Sequence, residues 1–478
     1  MQLVLPKKII KAVNVQNVNS LKIKKPVQPI LRDDQEWKDK NALIVGKGYI
    51  IVDFGKEMNG SIRIVTGVVT GSEELRIKIR VRFGESLSEA CSELGVKGAC
   101  NDHSPRDFEA ILPMLGNISL GNSGFRYVRI DFLEDKNMVL QSILCENHIL
   151  SKKPIYKYQG DDKRVKDIFL TAKRTIDLCA AGEYIWDGVK RDRLVWIGDM
   201  HPEMLALATL YGKLDVVERT LELVRDQTPL TLWMNGLASY SMWWMICVAD
   251  YYKITGAKEF FLNQVEYLKG LINRFDEYLD KDGNYLFDDF FVDWPTKLSN
   301  DGEAGNRATN VIAMKKIIEA FNDFDIDTSS AQKVLDKLLL KPMVVKEKKQ
   351  VMALKYLATG TLTDQEYAFM IEGGANGMST FMSYYILKAI ASRDVKLAFD
   401  VMKEYYGAML DLGATTFFED FDMKWLENAN SDIRKMPKKG QEDIHGDRGA
   451  FCYEGFRHSL CHGWSSGVIR FIKEYENA

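Results

Sequence analysis

The first part of the chain alternates between apolar and polar side chains. Between residues 75 and 83, leucine, isoleucine, valine and phenylalanine alternate with arginine and lysine. A period of two is typical of a strand with one buried face. Further strands are predicted over residues 49–54, 62–69, 125–132 and 139–146, with turns at 59–60 and 70–72. Packing these strands face to face predicts an antiparallel β-sandwich over residues 1–155.

From about residue 160 the apolar positions recur every three or four residues, as they do along 261–279 and 395–409. This spacing is typical of amphipathic helices. Helix pairs that repeat about six times suggest a toroid, although helix number alone does not separate a toroid from a solenoid. We therefore assign residues 156–478 to an α-helical domain. Its loops at 233–236 and 288–295 are rich in Asp, Asn, Gly and Trp, and such loops are where a site is expected.

Composition narrows the classes of partner. The chain has 478 residues, 46% of them hydrophobic, and a net charge of −3 with acidic and basic residues interspersed. This balance predicts neither a nucleic-acid surface nor an anionic-membrane surface, so a small neutral partner is expected. The sequence has neither a secretory h-region nor a long apolar span, which predicts a cytoplasmic protein. It leaves the oligomeric state open, and a homo-oligomer is compatible with it.

The most unusual segment of the chain is residues 187–199. It places three aspartates and two arginines around a tryptophan: Asp187, Arg191, Asp192, Arg193, Trp196 and Asp199. Carboxylates near an aromatic side chain suit a sugar site, because carboxylates bind hydroxyl groups and the indole stacks on a sugar ring. The alternative is a solvated charged turn before a helix that begins near Pro202.

A second acidic segment lies about 220 residues downstream of the first, where Glu419 and Asp420 follow two phenylalanines. Glycoside hydrolysis requires a pair of carboxyl groups, one that donates a proton and one that accepts a proton. The two segments together offer such a pair, with Asp420 competing with Glu419. The alternative is a helix N-terminal turn, where acids are favoured by the helix dipole.

Three further candidates are less specific. Asp293 and Trp294 stand before a proline, and could be a plain turn or a hydroxyl-binding pair. His462 lies near Trp464, although a lone histidine is more often structural. The histidines show no metal-ligand spacing, and the seven cysteines show no Cys-x-x-Cys pair. We therefore predict neither a metal nor another cofactor.

Five segments, taken in order, resemble the bacterial α-L-rhamnosidases of glycoside hydrolase family 78. They are DFGKEMNG at 53–60, GFRYV at 124–128, the acidic segment at 187–199, GATTFFE at 413–419 and CHGW at 461–464. Each is a moderate signal, and their common order makes the resemblance strong. It covers most of the chain. The chain departs from the family pattern at two positions. Asp192 stands where many members carry glutamate, and Val189 stands where proline is common.

The resemblance implies an (α/α)6 barrel, an inverting mechanism and the release of terminal α-linked L-rhamnose. It makes Asp192 the general acid and Glu419 the general base, while Asp187 and Asp199 bind sugar hydroxyls. The arginines of the acidic segment could hold those two aspartates. The other residues that it assigns to substrate binding are Arg191, Trp196, Asp293, Trp294, His462 and Trp464.

Two classes of alternative stay open. Within enzymes, the same scaffold could cleave another sugar or carry out phosphorolysis, although phosphorolysis would leave Glu419 without a role. Outside enzymes, the chain could be a catalytically silent carbohydrate-binding protein, because Asp192 replaces the glutamate common in the family. Dependence of turnover on phosphate would identify phosphorolysis, and binding without turnover would identify the silent binding protein.

Overall fold

The computed structural model describes residues 1–288, 290–297, 299–427, 429–430, 432–450 and 454–477. In this part of the chain seven strands form one antiparallel sheet in the order β1-β7-β3-β6-β4-β5, with β2 also paired to β3. The strands are β1 Gln2–Val4, β2 Lys8–Gln16, β3 Ala42–Thr70, β4 Arg76–Gly84, β5 Asp107–Pro113, β6 Asn117–Phe132 and β7 Asn137–Asn147. The predicted antiparallel β-structure is confirmed.

The long strand β3 folds this sheet back on itself. Ile44 near its start and Val69 near its end both pair with Met138 of β7. The apolar faces consequently enclose one core, in which the rings of Phe83 and Phe125 stack with centroids 4.5 Å apart. The two layers expected of a sandwich therefore come from one continuous sheet.

The turn predicted at Asn59–Gly60 is wrong, because both residues lie inside β3. The pairing of β3 with β6 shifts register on either side of this point, so the strand bends through irregularities of the β-bulge type. The Asn59 side chain donates to the carbonyl of Leu178 at 3.0 Å, which links the bend to the first long helix. The turn predicted at 70–72 is confirmed, since β3 ends at Thr70.

Most of the remaining described chain is helical. The helices are α1 Gln35–Asp39, α2 Leu87–Cys91, α3 Lys163–Cys179, α4 Met200–Tyr211, α5 Asp215–Gln227, α6 Ala238–Thr255, α7 Lys258–Leu262, α8 Val265–Asp276, α9 Gly302–Asn322, α10 Ser329–Leu339, α11 Lys349–Thr359, α12 Asp364–Ile371, α13 Ser383–Ala391, α14 Val395–Asp411 and α15 Val468–Tyr475. The pattern along 395–409 lies in α14, whereas the pattern along 261–279 is divided between α7 and α8.

Six of these helices form a closed ring of contacts within the described residues. Helices α4, α6, α9, α11, α13 and α15 contact one another in that order, and α15 contacts α4. Helix α6 is buried almost all round, whereas α5 and α10, which lie between ring helices in the sequence, are buried along one face. Consecutive ring helices are each separated along the sequence by at least one further helix.

The sheet and the helices have separate apolar cores, joined by a buried polar network. Lys190 lies at the centre of this network, with its Nζ 3.0 Å from Glu85 Oε2 and 3.2 Å from Glu89 Oε1. The same ammonium donates to the carbonyls of Phe456 and His458 at 2.9 and 2.5 Å. The β7 strand ends at Asn147, and the division at 155/156 stays a prediction.

Across the described residues, none of the helices combines the length and apolar character needed to cross a bilayer.

Lys190→Met is expected to lower the free energy of unfolding by about 3–5 kcal/mol, because it leaves Glu85 and Glu89 buried without their cation. Urea denaturation followed by circular dichroism measures this change. Lys163→Met is the control, since the exposed Lys163 pairs with Asp167 on a helix surface and should contribute less than about 1 kcal/mol. Equal effects of the two substitutions would contradict the role given to the network.

Candidate active site

A cavity of about 470 Å³ lies at one end of the helix ring. Its walls come from segments that directly precede or begin ring helices α4, α6, α9 and α15, so the connectivity brings them to one mouth. The volume is in the range typical of small-molecule sites. The lining residues are Asp187, Arg191, Asp192, Trp196, Asp199, Asn235, Leu237, Tyr240, Phe291, Trp294, Lys297, Arg457, His462 and Trp464.

The structure brings most of the predicted site residues to this cavity. Asp293 and Glu419 lie instead on a neighbouring cavity of about 10 Å³, together with Asp420. Trp294 and Trp464 line both cavities and separate them. The acidic segment and the distant Cys461–Trp464 segment therefore meet at the large cavity, while Glu419 lies one layer deeper.

Arg191 binds both predicted catalytic carboxylates. One terminal nitrogen lies 2.5 Å from Asp192 Oδ1, and the other lies 2.6 Å from Glu419 Oε1. Its Nε donates to the carbonyl of Arg457 at 3.0 Å, which fixes the plane of the guanidinium. Glu419 Oε2 accepts the backbone N–H of Ser459 at 3.0 Å. One buried guanidinium thus sets the relative position of Asp192 and Glu419.

The expectation that the two arginines hold Asp187 and Asp199 is wrong. Arg193 turns away from the cavity, donates to the carbonyl of Asn122 at 2.7 Å and stacks over the Trp186 ring. Arg191 instead binds Asp192 and Glu419. Asp192 is its neighbour in the sequence, and the 413–419 loop brings Glu419 within reach.

Asp187 and Asp199 flank His462. The imidazole Nε2 lies 3.7 Å from Asp187 Oδ2, 3.8 Å from Asp199 Oδ2 and 3.4 Å from Glu419 Oε1. Burial raises the pKa of both aspartates well above the usual range, and burial lowers the pKa of His462 well below its own. These carboxyl groups therefore hold their protons to higher pH and can donate hydrogen bonds as well as accept them.

The same three side chains form a candidate cation site. One ligand atom each from Asp187, Asp199 and His462 lie within 4.8 Å of one another. Spacing along the chain could not reveal this set, because His462 is distant in sequence from the aspartates. A second such set, Glu85, Glu89 and His445, already contacts the ammonium of Lys190.

Asp192 is held by groups on both of its oxygens. Oδ1 lies 3.0 Å from His103 Nδ1 in addition to Arg191, and Oδ2 accepts the indole N–H of Trp196 at 3.3 Å. Asp192 and Arg193 have φ values of 55° and 53°, a left-handed conformation that costs about 1–2 kcal/mol per residue. Strain of this kind is concentrated at functional sites.

Asp293 and Asp420 lie behind the large cavity. Asp293 accepts the N–H of Thr296 at 3.1 Å and the hydroxyl of Ser379 at 2.8 Å, so it caps the 3-10 turn that carries Trp294. Burial, and then the charge of Glu419, raise the pKa of Asp420 to about 7. Residues 412–422 form a loop rather than a helix start, since α14 ends at Asp411.

Sequence reasoning missed several residues of the site. Asn235 and Phe291 lie in the loops selected for their composition, but no residue type singled them out. Lys297 stacks over the Trp294 ring with its Nζ 4.8 Å from the centroid. His103 comes from the sheet-bearing part of the chain, where no motif pointed to a site.

No family model matches the chain, and a search of curated proteins gives no significant match. Solved structures do match. The rhamnosidase from Klebsiella oxytoca with rhamnose bound has a TM-score of 0.74 and 18% identity, covering 99% of this chain and 96% of that one. The GH78 rhamnosidase of Bacillus sp. GL1 has a TM-score of 0.71 and 18% identity, covering 95% of this chain and 48% of that one.

A third structure, α-L-rhamnosidase from Dictyoglumus thermophilum, has a TM-score of 0.65 and 14% identity, with 99% of this chain and 51% of that chain covered. The chain thus spans about half the length of the Bacillus and Dictyoglumus proteins. The fold is that of GH78 rhamnosidases. The resemblance read from the sequence motifs is confirmed at the level of the fold.

Asp187→Asn is expected to stabilise the protein at neutral pH. The pKa of Asp187 is higher in the folded than in the unfolded chain, so its contribution is fully present below the unfolded pKa and is lost as pH rises toward the folded pKa. The amide does not ionise, so the variant should gain about 1–2 kcal/mol at pH 7.5 and little at pH 4. Urea denaturation at both pH values measures the difference.

The exposed Asp161 provides the control, and Asp161→Asn should change stability little at either pH. A destabilising effect of Asp187→Asn at pH 7.5 would contradict the electrostatic picture of the site.

Proposed function

We propose that the protein is an exo-acting, inverting glycoside hydrolase that releases terminal α-linked L-rhamnose, with Asp192 as general acid and Glu419 as general base. The observation that carries the proposal is the shared guanidinium of Arg191, which joins Asp192 on the large cavity to Glu419 behind it. The fold supports it, because the matched structures are rhamnosidases.

The placement of the two carboxylates suits an inverting reaction. The acid protonates the glycosidic oxygen while the base takes a proton from the water that attacks the opposite face of the sugar. Such a pair is typically about 6.5–9.5 Å apart, which leaves room for the water. Arg191 binds Asp192 and Glu419 through different nitrogens, so its guanidinium lies between the two acids and keeps them out of direct contact.

Glu419 requires a compensating charge because it is buried beside other acids. Arg191 supplies that charge, and the backbone N–H of Ser459 donates a further hydrogen bond. The backbone carbonyl of Glu419 accepts the indole N–H of Trp464 at 2.8 Å. The wall of the sugar pocket therefore also positions the proposed base.

The large cavity suits one terminal sugar. Indole rings of Trp196, Trp294 and Trp464 offer apolar walls for stacking, and Asp187 and Asp199 offer hydrogen bonds to hydroxyl groups. The K. oxytoca structure is described with rhamnose bound, which supports a small carbohydrate as the ligand here. The proposal includes a cytoplasmic location. In that compartment the substrates would be small glycosides that have entered the cell.

Hydrolysis of p-nitrophenyl α-L-rhamnopyranoside tests the proposal. Glu419→Gln should lower kcat by about 10²–10⁴-fold, because the amide cannot accept the proton of the attacking water. Asp420→Asn is the matched control, because Asp420 is the adjacent buried acid, and it should retain much more activity. Proton NMR of the first product should show β-L-rhamnose, since inversion of an α-glycoside gives the β-anomer.

The alternatives predict other outcomes. A larger loss of kcat in Asp420→Asn than in Glu419→Gln would identify Asp420 as the general base. Release from a different p-nitrophenyl glycoside would indicate another sugar, and a requirement for phosphate would indicate phosphorolysis. Binding of L-rhamnose in calorimetry without any turnover would indicate a silent binding protein.

Activity is expected to survive a chelator. The His462 Nε2 lies among the carboxyl groups of Asp187, Asp199 and Glu419, and the proposed proton transfers need no Lewis acid. Rates measured after EDTA treatment and gel filtration into chelator-treated buffer should equal those of untreated enzyme. A loss that added divalent cations restore, and that Asp199→Asn prevents them from restoring, would make the aspartate–histidine cluster a metal site.

A further inference from the structure

The loop at residues 100–104 reaches from the sheet-bearing part of the chain to the acidic segment. Asp102 pairs with Arg457 at 3.0 Å, and Ser104 Oγ donates to the carbonyl of Lys190 at 2.6 Å. Between these anchors, His103 Nδ1 lies 3.0 Å from Asp192 Oδ1. The loop therefore places an imidazole against the proposed general acid from outside the helix ring.

The two oxygens of Asp192 have different surroundings. Oδ1 faces Arg191, which can only donate, and His103 Nδ1, which donates in the tautomer that carries its proton there. Arg191 forms a hydrogen bond with Oδ1, and the His103 nitrogen lies against the same oxygen at ion-pair distance, so both groups crowd Oδ1 rather than Oδ2. Oδ2 accepts a single long bond from Trp196 and has a free acceptor position among the described contacts.

We propose that His103 is a positioning residue that fixes the Asp192 carboxyl so that its catalytic proton resides on Oδ2. The inference rests on the proposed function, in which Asp192 protonates the leaving oxygen. Because Arg191 and His103 both lie against Oδ1, a proton there would face a cation and an imidazole, whereas Oδ2 can carry it on a side chain that lines the large cavity. The sheet-bearing part of the chain thereby contributes directly to the acid.

The backbone guides the choice of variants. His103 has φ 61°, a left-handed conformation that asparagine tolerates well. His103→Asn keeps an N–H donor near the position of Nδ1, whereas His103→Ala removes it. Thermal unfolding of both variants checks that the fold is retained.

A series of leaving groups tests the inference. The 2,4-dinitrophenyl, 4-nitrophenyl and phenyl α-L-rhamnosides need increasing help from an acid, because their phenols are progressively less acidic. His103→Ala should lower kcat/KM for the phenyl glycoside by about 10-fold or more and for the dinitrophenyl glycoside by less than about threefold, because only the former depends on proton donation. His103→Asn should restore most of the loss. Asp192→Asn should show the same trend more strongly.

Lys97→Ala is the matched control. Lys97 also has a positive φ, 51°, and its Nζ pairs with Asp447 at 2.7 Å across the same two parts of the chain, but no contact joins it to Asp192 among the described residues. Its effect should be the same for all three substrates.

Each outcome decides one question. Equal losses on all three glycosides in His103→Ala would overturn the inference and leave a merely structural contact. Failure of His103→Asn to restore the phenyl glycoside would overturn the role of the donor. Absence of turnover by the wild-type protein on all three would instead contradict the proposed function itself, and with it the inference.

Discussion

Two adjacent cations, Lys190 and Arg191, determine how the acidic side chains of this protein are accommodated. Lys190 extends toward the sheet and neutralises Glu85 and Glu89, while Arg191 extends toward the cavity and binds Asp192 and Glu419. Buried carboxylates are tolerated only when they are paired or protonated. The acidic segment therefore joins the two parts of the molecule and builds the site with the same few residues.

The cavity nevertheless contains more acids than its cations can pair. Burial raises the pKa of Asp187, Asp199 and Glu203, which lie close together at the start of α4. A Cβ at Gly463 would lie 1.9 Å from Glu203 Oε1, so a larger residue there would require the Glu203 side chain to shift. The site holds polar groups that do not stabilise the fold, a feature expected where stability is exchanged for function.

The sequence predicts those features that depend on local pattern. Alternation predicts the strands, and helical periodicity predicts the helices, because both reflect which face of an element is buried. Prediction from local pattern fails at Asn59–Gly60. These turn-forming residues lie inside strand β3, which bends where its pairing with β6 shifts register. Local composition cannot distinguish a bulge from a turn when long-range pairing decides between them.

The site shows the same division between local and distant information. The acidic segment and the histidine–tryptophan segment are recognisable as short motifs, and the structure brings them together. The partners of the arginines were not predictable, because Arg191 and Arg193 have the same chemistry and differ only in the direction that the backbone gives them. His103 lies far from the acidic segment in sequence, on a loop of the sheet-bearing part of the chain, so only the folded chain reveals it.

The identity of residue 192 is consistent with this geometry. Its φ of 55° is left-handed, a conformation in which aspartate and asparagine are enriched because their short polar side chains bond locally. The Asp192 carboxyl does bond locally, to the guanidinium of the preceding Arg191 and the indole of Trp196 four residues on. A glutamate at this position would extend its carboxyl beyond these donors and beyond His103. The short side chain of Asp192 and its left-handed backbone therefore place the carboxyl where Arg191 and Trp196 can bind it. His103, from the sheet-bearing part of the chain, contacts the same carboxyl.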